Sequence, residues 1–223
     1  MVRTPKTKNK MNKVVNALAI FALTISLSPS QAKSADVLNT WPLNDNIKLG
    51  TITNGIGKPL ELDSKDSKDV LARTQFLDAI AYLKKSPTAL KLLQDITAQN
   101  KELVILVDEN GNGIKQTTAT TTAKNGNPII IWCPNQGVQF NEVHQISSSV
   151  ALIHEMGHAF HGMVEREVQK REFRTEDPQY GNEEERNNIV KYEQPIAREL
   201  GEAIRYKIYG DFVNVPSVTA YRL

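Results

Sequence analysis

Residues 147–163, reading SSSVALIHEMGHAFHGM, leave this chain the least freedom. The segment opens on serines fit for capping and runs through Val150, Ala151, Leu152 and Ile153 at helical spacing, so it reads as a core helix on which other elements must pack. Inside it stands His154-Glu155-Met156-Gly157-His158. Four residues is just over one helical turn, so His154 and His158 project from one face and both imidazoles can reach a single metal ion. Glu155 lies about 100° around the helix from His154. From there it can take a proton from a water at the metal's open position and return it to a leaving amine, which is the HExxH logic of zinc hydrolases. All four histidines of the chain fall between His144 and His161.

A catalytic zinc takes three protein ligands, so a third must be found. A metzincin would have Gly at position 161 and His at 164, where this chain has His161 and Val164. His161 lies near the His154 face but about 10 Å along the axis, too far to close on the same ion. It is read as a residue that supports a ligand, contacts substrate or packs in the core. The remaining source is a glutamate from a later helix. Asn182 can cap such a helix, and Glu183, Glu184 and Glu185 follow it. Successive residues point about 100° apart, so one of the three can face the metal while the others favour the helix dipole in solvent. Glu193 and Glu199 are further candidates, on or beside a helix expected over about 195–209.

Ahead of the motif helix, apolar residues at three- and four-residue steps predict a helix over about 68–84. Ser86-Pro87 then starts a second helix ending near Asn100, giving a helical hairpin. ELVILVD at 102–108 is a buried strand, and a turn at 109–113 lets the Thr-rich stretch to Ala123 return beside it as a hairpin. Asp108, Asn110, Asn112, Gly113 and Ile114 imitate the start of an EF-hand loop. Its twelfth position is Ala119, where calcium needs a carboxylate, so a plain turn is expected. Asn125-Gly126-Asn127 makes another turn before the strand PIIIWC, which Pro134 stops. Residues 33–66 show no sustained periodicity and read as a loop-rich N-terminal segment, and 166–180 as a loop over or beside the cleft.

The N-terminus carries Arg3, Lys6, Lys8, Lys10 and Lys13 ahead of an apolar stretch, Val14–Leu27, too short for the roughly 20 residues of a membrane span. Residues 1–32 are expected to be a Sec-type signal peptide cleaved before Lys33, making the protein secreted or periplasmic, with no stable membrane span afterwards. The remaining chain has 22 basic and 25 acidic residues and a formal charge of −3. It holds no basic stripe with interleaved aromatics, so nucleic acid is not the expected partner. Cys133 is the sole cysteine, so no internal disulfide supports the fold.

The chain resembles the NleD-type effector metallopeptidase family over about residues 76–208. The shared features are the Ser-Pro helical hairpin, the strand Ile129-Ile130-Ile131-Trp132-Cys133-Pro134, and the L-x-HExxHAxH helix from Leu152 to His161. A Glu-Glu-x-Arg step (Glu183, Glu184, Glu185, Arg186) follows, then Glu193, Ile196, Arg198, Glu199, Gly201 and Arg205 at the family's C-terminal spacing. The resemblance implies peptide-bond hydrolysis, with characterised relatives cutting host signalling kinases. It also favours the Glu-Glu step as the source of the third ligand, and we assign Glu184 over Glu183 and Glu185. Arg198 and Arg205 match family positions, where an arginine can equally pair with Glu193 or Glu199. Type III effectors lack a Sec-type signal, which this chain has, so a periplasmic or secreted peptidase on the same catalytic core is equally expected.

The resulting expectation is an α+β, zincin-like metallopeptidase domain over residues 67–223, with a small mixed sheet from 102–140 packed on the HExxH helix. His154, His158 and Glu184 would hold Zn2+, Glu155 would be general base and acid, and the substrate would be a protein or peptide. The strand Ile129–Trp132 would align it by edge pairing. No spacing rule selects an oxyanion-stabilising tyrosine such as Tyr206. A membrane-tethered processing peptidase and a non-catalytic zinc-binding interaction protein are the alternatives.

Overall fold

The computed structural model describes residues 47–53, 56–59, 65–108, 118–123, 125–207 and 210–223. The expected signal peptide, most of the N-terminal segment and the EF-hand-like turn lie outside them.

The LVILV run forms a strand buried along its whole length, Leu103–Val107 (β3). A strand apolar on both faces belongs inside a sheet rather than at its edge. β3 runs parallel to Ile47–Thr53 (β1) on one side and to Pro128–Trp132 (β5) on the other. Ile56–Pro59 (β2) and Ala119–Thr122 (β4) close the two edges antiparallel, in the order β2-β1-β3-β5-β4. Leu103, Ile105 and Val107 point into the main core with Ile130 and Trp132, while Val104, Leu106 and Ile129 form a smaller cluster on the opposite face.

Three expectations change here. The loop-rich segment ending at 66 supplies two strands, because backbone pairing with β3 and within the β1–β2 ladder organises stretches too short to show periodicity. The Thr-rich stretch does not return along β3. It pairs with β5 across the Asn125–Asn127 turn, where Gly126 has φ 86°, leaving β3 to pair in parallel. β5 is therefore interior, and the edge on its side of the sheet belongs to β4.

The helices cover the main core face. Ser67–Leu83 (α1) is capped by Asp66, and Pro87–Thr97 (α2) by Ser86 with proline in its first turn, as the hairpin predicts. Ser148–Val164 (α3), capped by Ser147, packs on β5 and on both hairpin helices. The Trp132 indole N–H reaches the Ser148 carbonyl at 3.1 Å and its Oγ at 2.9 Å, pinning the start of α3 to the sheet. Phe76 meets Trp132 edge-on at 6.3 Å. Buried Glu202 accepts from Ser147 N and Oγ at 2.7 and 2.6 Å and from the Tyr82 hydroxyl at 2.8 Å, tying α1, the start of α3 and the C-terminal segment together.

Gln136–Gln139 (β6) pairs antiparallel with Gln145–Ile146 (β7) and with Asp211–Asn214 (β10) in a separate three-stranded sheet, not in the main sheet. The segment expected as a loop holds Arg166–Glu172 (α4) and a small ladder of Glu176–Asp177 (β8) and Gly181–Asn182 (β9). Glu183–Asn188 (α5), a π turn over Ile189–Glu193 and Gln194–Leu200 (α6) follow one another directly. The helix expected to reach 209 stops at Leu200, because Gly201 takes the left-handed conformation, φ 75°, that ends a helix. The fold is mixed α+β with small sheets, and among the described residues no helix is long and apolar enough to cross a membrane.

Candidate metal centre

The two motif histidines leave α3 on one face as their spacing requires. Their Nε2 atoms stand 3.1 Å apart with the rings nearly perpendicular, at 84°. A carboxylate straddles the pair, with Glu185 Oε2 at 3.4 Å from His154 Nε2 and Oε1 at 3.4 Å from His158 Nε2. Tetrahedral metal bonds of about 2.0–2.1 Å put neighbouring ligand atoms about 3.3–3.4 Å apart. Two imidazole nitrogens and a carboxylate, converging from two helices at about that spacing, fit a metal ion.

Glu184, the expected ligand, lies elsewhere. Its Oε1 is 2.8 Å from His158 Nδ1 and its Oε2 is 2.6 Å from His161 Nδ1, on the far side of the imidazole from the Nε2 pair. The difference is one of helix phase. Asn182 caps α5 through the Glu185 N–H, and the first turn then faces Glu185 to the histidines, Glu184 to the space between α3 and α4, and Glu183 toward Arg186 at 3.3 Å. His161 supports Glu184. In the group of His161, Glu172 and Glu184, His161 Nδ1 lies at hydrogen-bond distance from Glu184 Oε2, 2.6 Å, and 3.9 Å from Glu172 Oε2.

Each motif histidine has a carboxylate behind it. Glu184 lies behind His158, and Glu193 Oε2 lies 2.8 Å from His154 Nδ1. A carboxylate there keeps the ring proton on Nδ1 and turns the Nε2 lone pair inward. Glu185 and Glu193 reach opposite nitrogens of the same imidazole, and the π turn between them widens the helix across that span, as such turns often do at functional sites. Buried Arg205 holds Glu193 through Nε at 2.8 Å and through Nη2, realising one of the two pairings open to it. Glu199 lies apart, accepting from Ser86 and Thr88 at the start of α2, and Arg198 and Tyr206 are exposed.

Charge in this cluster favours cations. Burial alone would lower the His158 imidazole, but Glu185, Glu184 and Glu155 outweigh it and raise it to about 10. His154 is likewise raised by Glu185 and Glu193 against its burial. Burial pushes Glu193 up, yet Arg205 and His154 bring it down to about 2, and the histidines hold Glu185 well below the carboxylate range. The same field favours a proton or a divalent metal.

Three contacts that sequence reasoning missed set the geometry. Asn188 Nδ2 donates to the His154 carbonyl at 2.8 Å, docking α5 on α3. Gly157 makes room for it, since a Cβ there would meet Asn188 Oδ1 at 2.0 Å and Tyr192 at 3.0 Å. A glycine inside an otherwise well-formed helix was the available signal. Gln169 of α4 donates to the His158 carbonyl at 2.7 Å and to Glu184 at 3.0 Å. On the opposite flank, the Thr120 hydroxyl of β4 stands 2.7 Å from Glu155 Oε2. Glu155, His154 and Glu185 border a cleft of about 160 Å³.

An HExxH helix and a glutamate from a later helix, converging in an α+β frame with a carboxylate beside an open cleft, define a metallopeptidase. The chain belongs to the M91 peptidase family, whose model, described as effector protein, matches residues 63–190, more than half of its length. That agrees with the resemblance to NleD-type effector metallopeptidases. The matched stretch includes both histidines, Glu155 and the glutamate step, and ends before Glu193 and Arg205. Among solved structures, the chain is similar to the catalytic domain of Clostridium botulinum neurotoxin serotype F, at 13% identity and a TM-score of 0.46 over 74% of each chain. It is also similar to the Clostridium botulinum neurotoxin serotype F light chain, at 14% identity and a TM-score of 0.35, over 50% of this chain and 40% of that one. No curated protein sequence matches it.

Proposed function

We propose that this protein is an exported zinc endopeptidase that hydrolyses protein substrates through His154, His158 and Glu185 as metal ligands and Glu155 as general base and acid. The observation that carries the reading is the convergence of the His154 and His158 Nε2 atoms, 3.1 Å apart, on the Glu185 carboxylate, whose two oxygens each lie 3.4 Å from one of them, close to the ligand spacing of a tetrahedral zinc site. Two imidazoles and one carboxylate are the donor set of a catalytic zinc that keeps its fourth position open. Bound zinc would polarise the scissile carbonyl and acidify water.

The chain's own residues do the rest. Glu184 and Glu193 orient the two imidazoles, and Arg205 keeps Glu193 ionised behind His154. Glu155, steadied by Thr120, faces the cleft, where it takes the proton of the attacking water and passes it to the leaving amine. The exposed edge of β4 runs beside Glu155 and supports docking of an extended substrate by strand pairing. The family's description as effector protein supports a host protein as target, and the charged and apolar N-terminal regions support export through a signal peptide cleaved before Lys33.

The test is metal content by mass spectrometry of the purified chain, beside cleavage of a mixed peptide library, for wild type and Glu155→Gln. One zinc per chain in both, with cleavage by the wild type alone, is the expected result. A folded wild type without stoichiometric zinc would overturn the reading.

A further inference from the structure

A second group of ligand atoms lies on the far side of Glu184 from the metal centre, where α3, α4 and α5 meet. His161, Glu172 and Glu184 each offer one ligand atom there, all within 4.8 Å of one another. Their side chains are 22, 15 and 1% exposed, so an ion among them would be largely shielded from water. Glu184 divides its two oxygens. Oε1 meets His158 Nδ1 at 2.8 Å and the Gln169 amide at 3.0 Å, while Oε2 turns to His161 Nδ1 at 2.6 Å.

Two independent observations ask for a cation here. Glu172 Oε2 is buried and accepts no hydrogen bond, and the charged group nearest to it is His161 Nδ1, at 3.9 Å. A carboxylate oxygen in that position is unfavourable, and a cation within reach removes the cost. Among the described residues, no lysine or arginine lies within ion-pair distance of Glu165, Glu172 or Glu184, the three carboxylates around His161. The second observation is that α4 buries none of its residues. A seven-residue helix without a packed apolar face depends on polar contacts for its position. Gln169 supplies two of them, and Gly162 lets it come close, since a Cβ there would meet Gln169 Oε1 at 2.7 Å. Glu172, at the end of the same helix, has no comparable contact.

We propose that His161, Glu172 and Glu184 form a second divalent-cation site, separate from the proposed catalytic zinc, which takes zinc and clamps α4 against α3 and α5. The peptidase reading is not needed for it. At 2.6 Å, His161 and Glu184 share a proton, and the ion takes its place. Tetrahedral edges of about 3.3–3.4 Å require the His161–Glu184 contact to open by roughly 0.7 Å and the His161–Glu172 contact to close by roughly 0.5 Å. Glu165 Oε2, 3.7 Å from His161 Nε2, lies behind this ring as Glu184 and Glu193 lie behind the motif histidines. One imidazole and two carboxylates suit zinc, whereas calcium takes six to eight oxygens. Because a hydrogen bond must open first, this site binds more weakly than the catalytic one and fills after it.

The experiment is a calorimetric zinc titration of the full chain as purified, with hydrogen exchange of residues 166–173 followed alongside, for wild type, Glu172→Gln, Glu167→Gln and Glu185→Gln. Wild type is expected to take up a second equivalent. With free zinc at about 100 times the dissociation constant of that equivalent, exchange through release of α4 should slow by about 100-fold. Glu172→Gln keeps the side-chain volume, the first zinc and peptide cleavage but loses the second equivalent. Its affinity there falls by more than the about 10- to 100-fold that follows removal of a group which only orients a ligand. Glu167, on the same helix, is 82% exposed and paired with Lys170, so Glu167→Gln keeps the second equivalent, which separates the site from adventitious surface binding. A wild type that takes up no second equivalent, or one that Glu172→Gln retains, would overturn the inference and leave the peptidase reading standing. A single zinc that Glu172→Gln loses and Glu185→Gln keeps would overturn the peptidase reading and support this site.

Discussion

Gly157→Ala tests how Glu185, the proposed third ligand, is held. In a solvent-facing helix the change would stabilise by up to about 1 kcal/mol, because alanine is the better helix former. Here the new Cβ would stand 2.0 Å from Asn188 Oδ1, so the asparagine must retreat by about 1 Å before the contact stops being repulsive. The retreat stretches the 2.8 Å bond from Asn188 to the His154 carbonyl and shifts α5, which ends at Asn188 and carries Glu185. Overpacking of this kind costs about 1–3 kcal/mol and a lost hydrogen bond about 1 kcal/mol, together outweighing the propensity gain. Net destabilisation of about 1–3 kcal/mol follows, a fall in Tm of several degrees at about 2–4 °C per kcal/mol for a chain of this size. Zinc affinity should fall by about 10- to 100-fold, the usual cost of disturbing the groups that position a metal ligand. Thermal unfolding of the metal-free chain and chelator competition measure the two effects. Adding Asn188→Ala removes the clashing atom, so the double variant should be more stable than the two single losses predict. A Gly157→Ala protein as stable as wild type, with unchanged zinc affinity, would refute the account of α5 docking through this glycine.

Three further outcomes are expected. Glu185→Gln should abolish stoichiometric zinc, whereas Glu184→Gln should keep one zinc per chain with affinity lowered about 10- to 100-fold; the reverse order in chelator competition would restore Glu184 as ligand. Glu155→Gln should retain zinc and lose about 100-fold or more in kcat, and a variant that keeps its rate would remove Glu155 from the chemistry. Burial pushes Glu202 up to about 6 from 4.5, against its hydrogen bonds from Ser147 and Tyr82 and with help from Glu193. The folded state therefore holds this proton more tightly than the unfolded one, so its contribution is full below about pH 4.5 and is lost as pH rises through 6. Comparing urea unfolding of wild type and Glu202→Gln, the stability difference should change by about 2 kcal/mol between pH 4.5 and 7, and a constant difference would refute the assignment.

Much of the candidate site was legible in sequence because its rules are local. The i, i+4 spacing of His154 and His158, the position of Glu155, and the caps at Ser86, Ser147 and Asn182 depend on neighbours within a turn, and each stands where its local pattern placed it. The apolar density of β3 likewise announced an interior strand. Choosing among three adjacent glutamates was a different problem. They differ by about 100° of helix rotation, and that rotation is set by Asn188 seating in the notch at Gly157, more than thirty residues away along the chain.

Strand pairing was hidden for a related reason. The Thr-rich stretch carries no mark of which neighbour it will join, and parallel pairing of β3 with β1 and β5 takes partners that are remote in sequence. Sequence alone determined the presence of an HExxH helix, its burial, the place of the Glu155 carboxylate on it and a glutamate-bearing helix downstream. Tertiary structure decided that Glu185 faces the Nε2 atoms of the two histidines while Glu184 and Glu193 stand behind the rings, because orientation across a helix pair is fixed by packing between surfaces and not by the order of residues along either one.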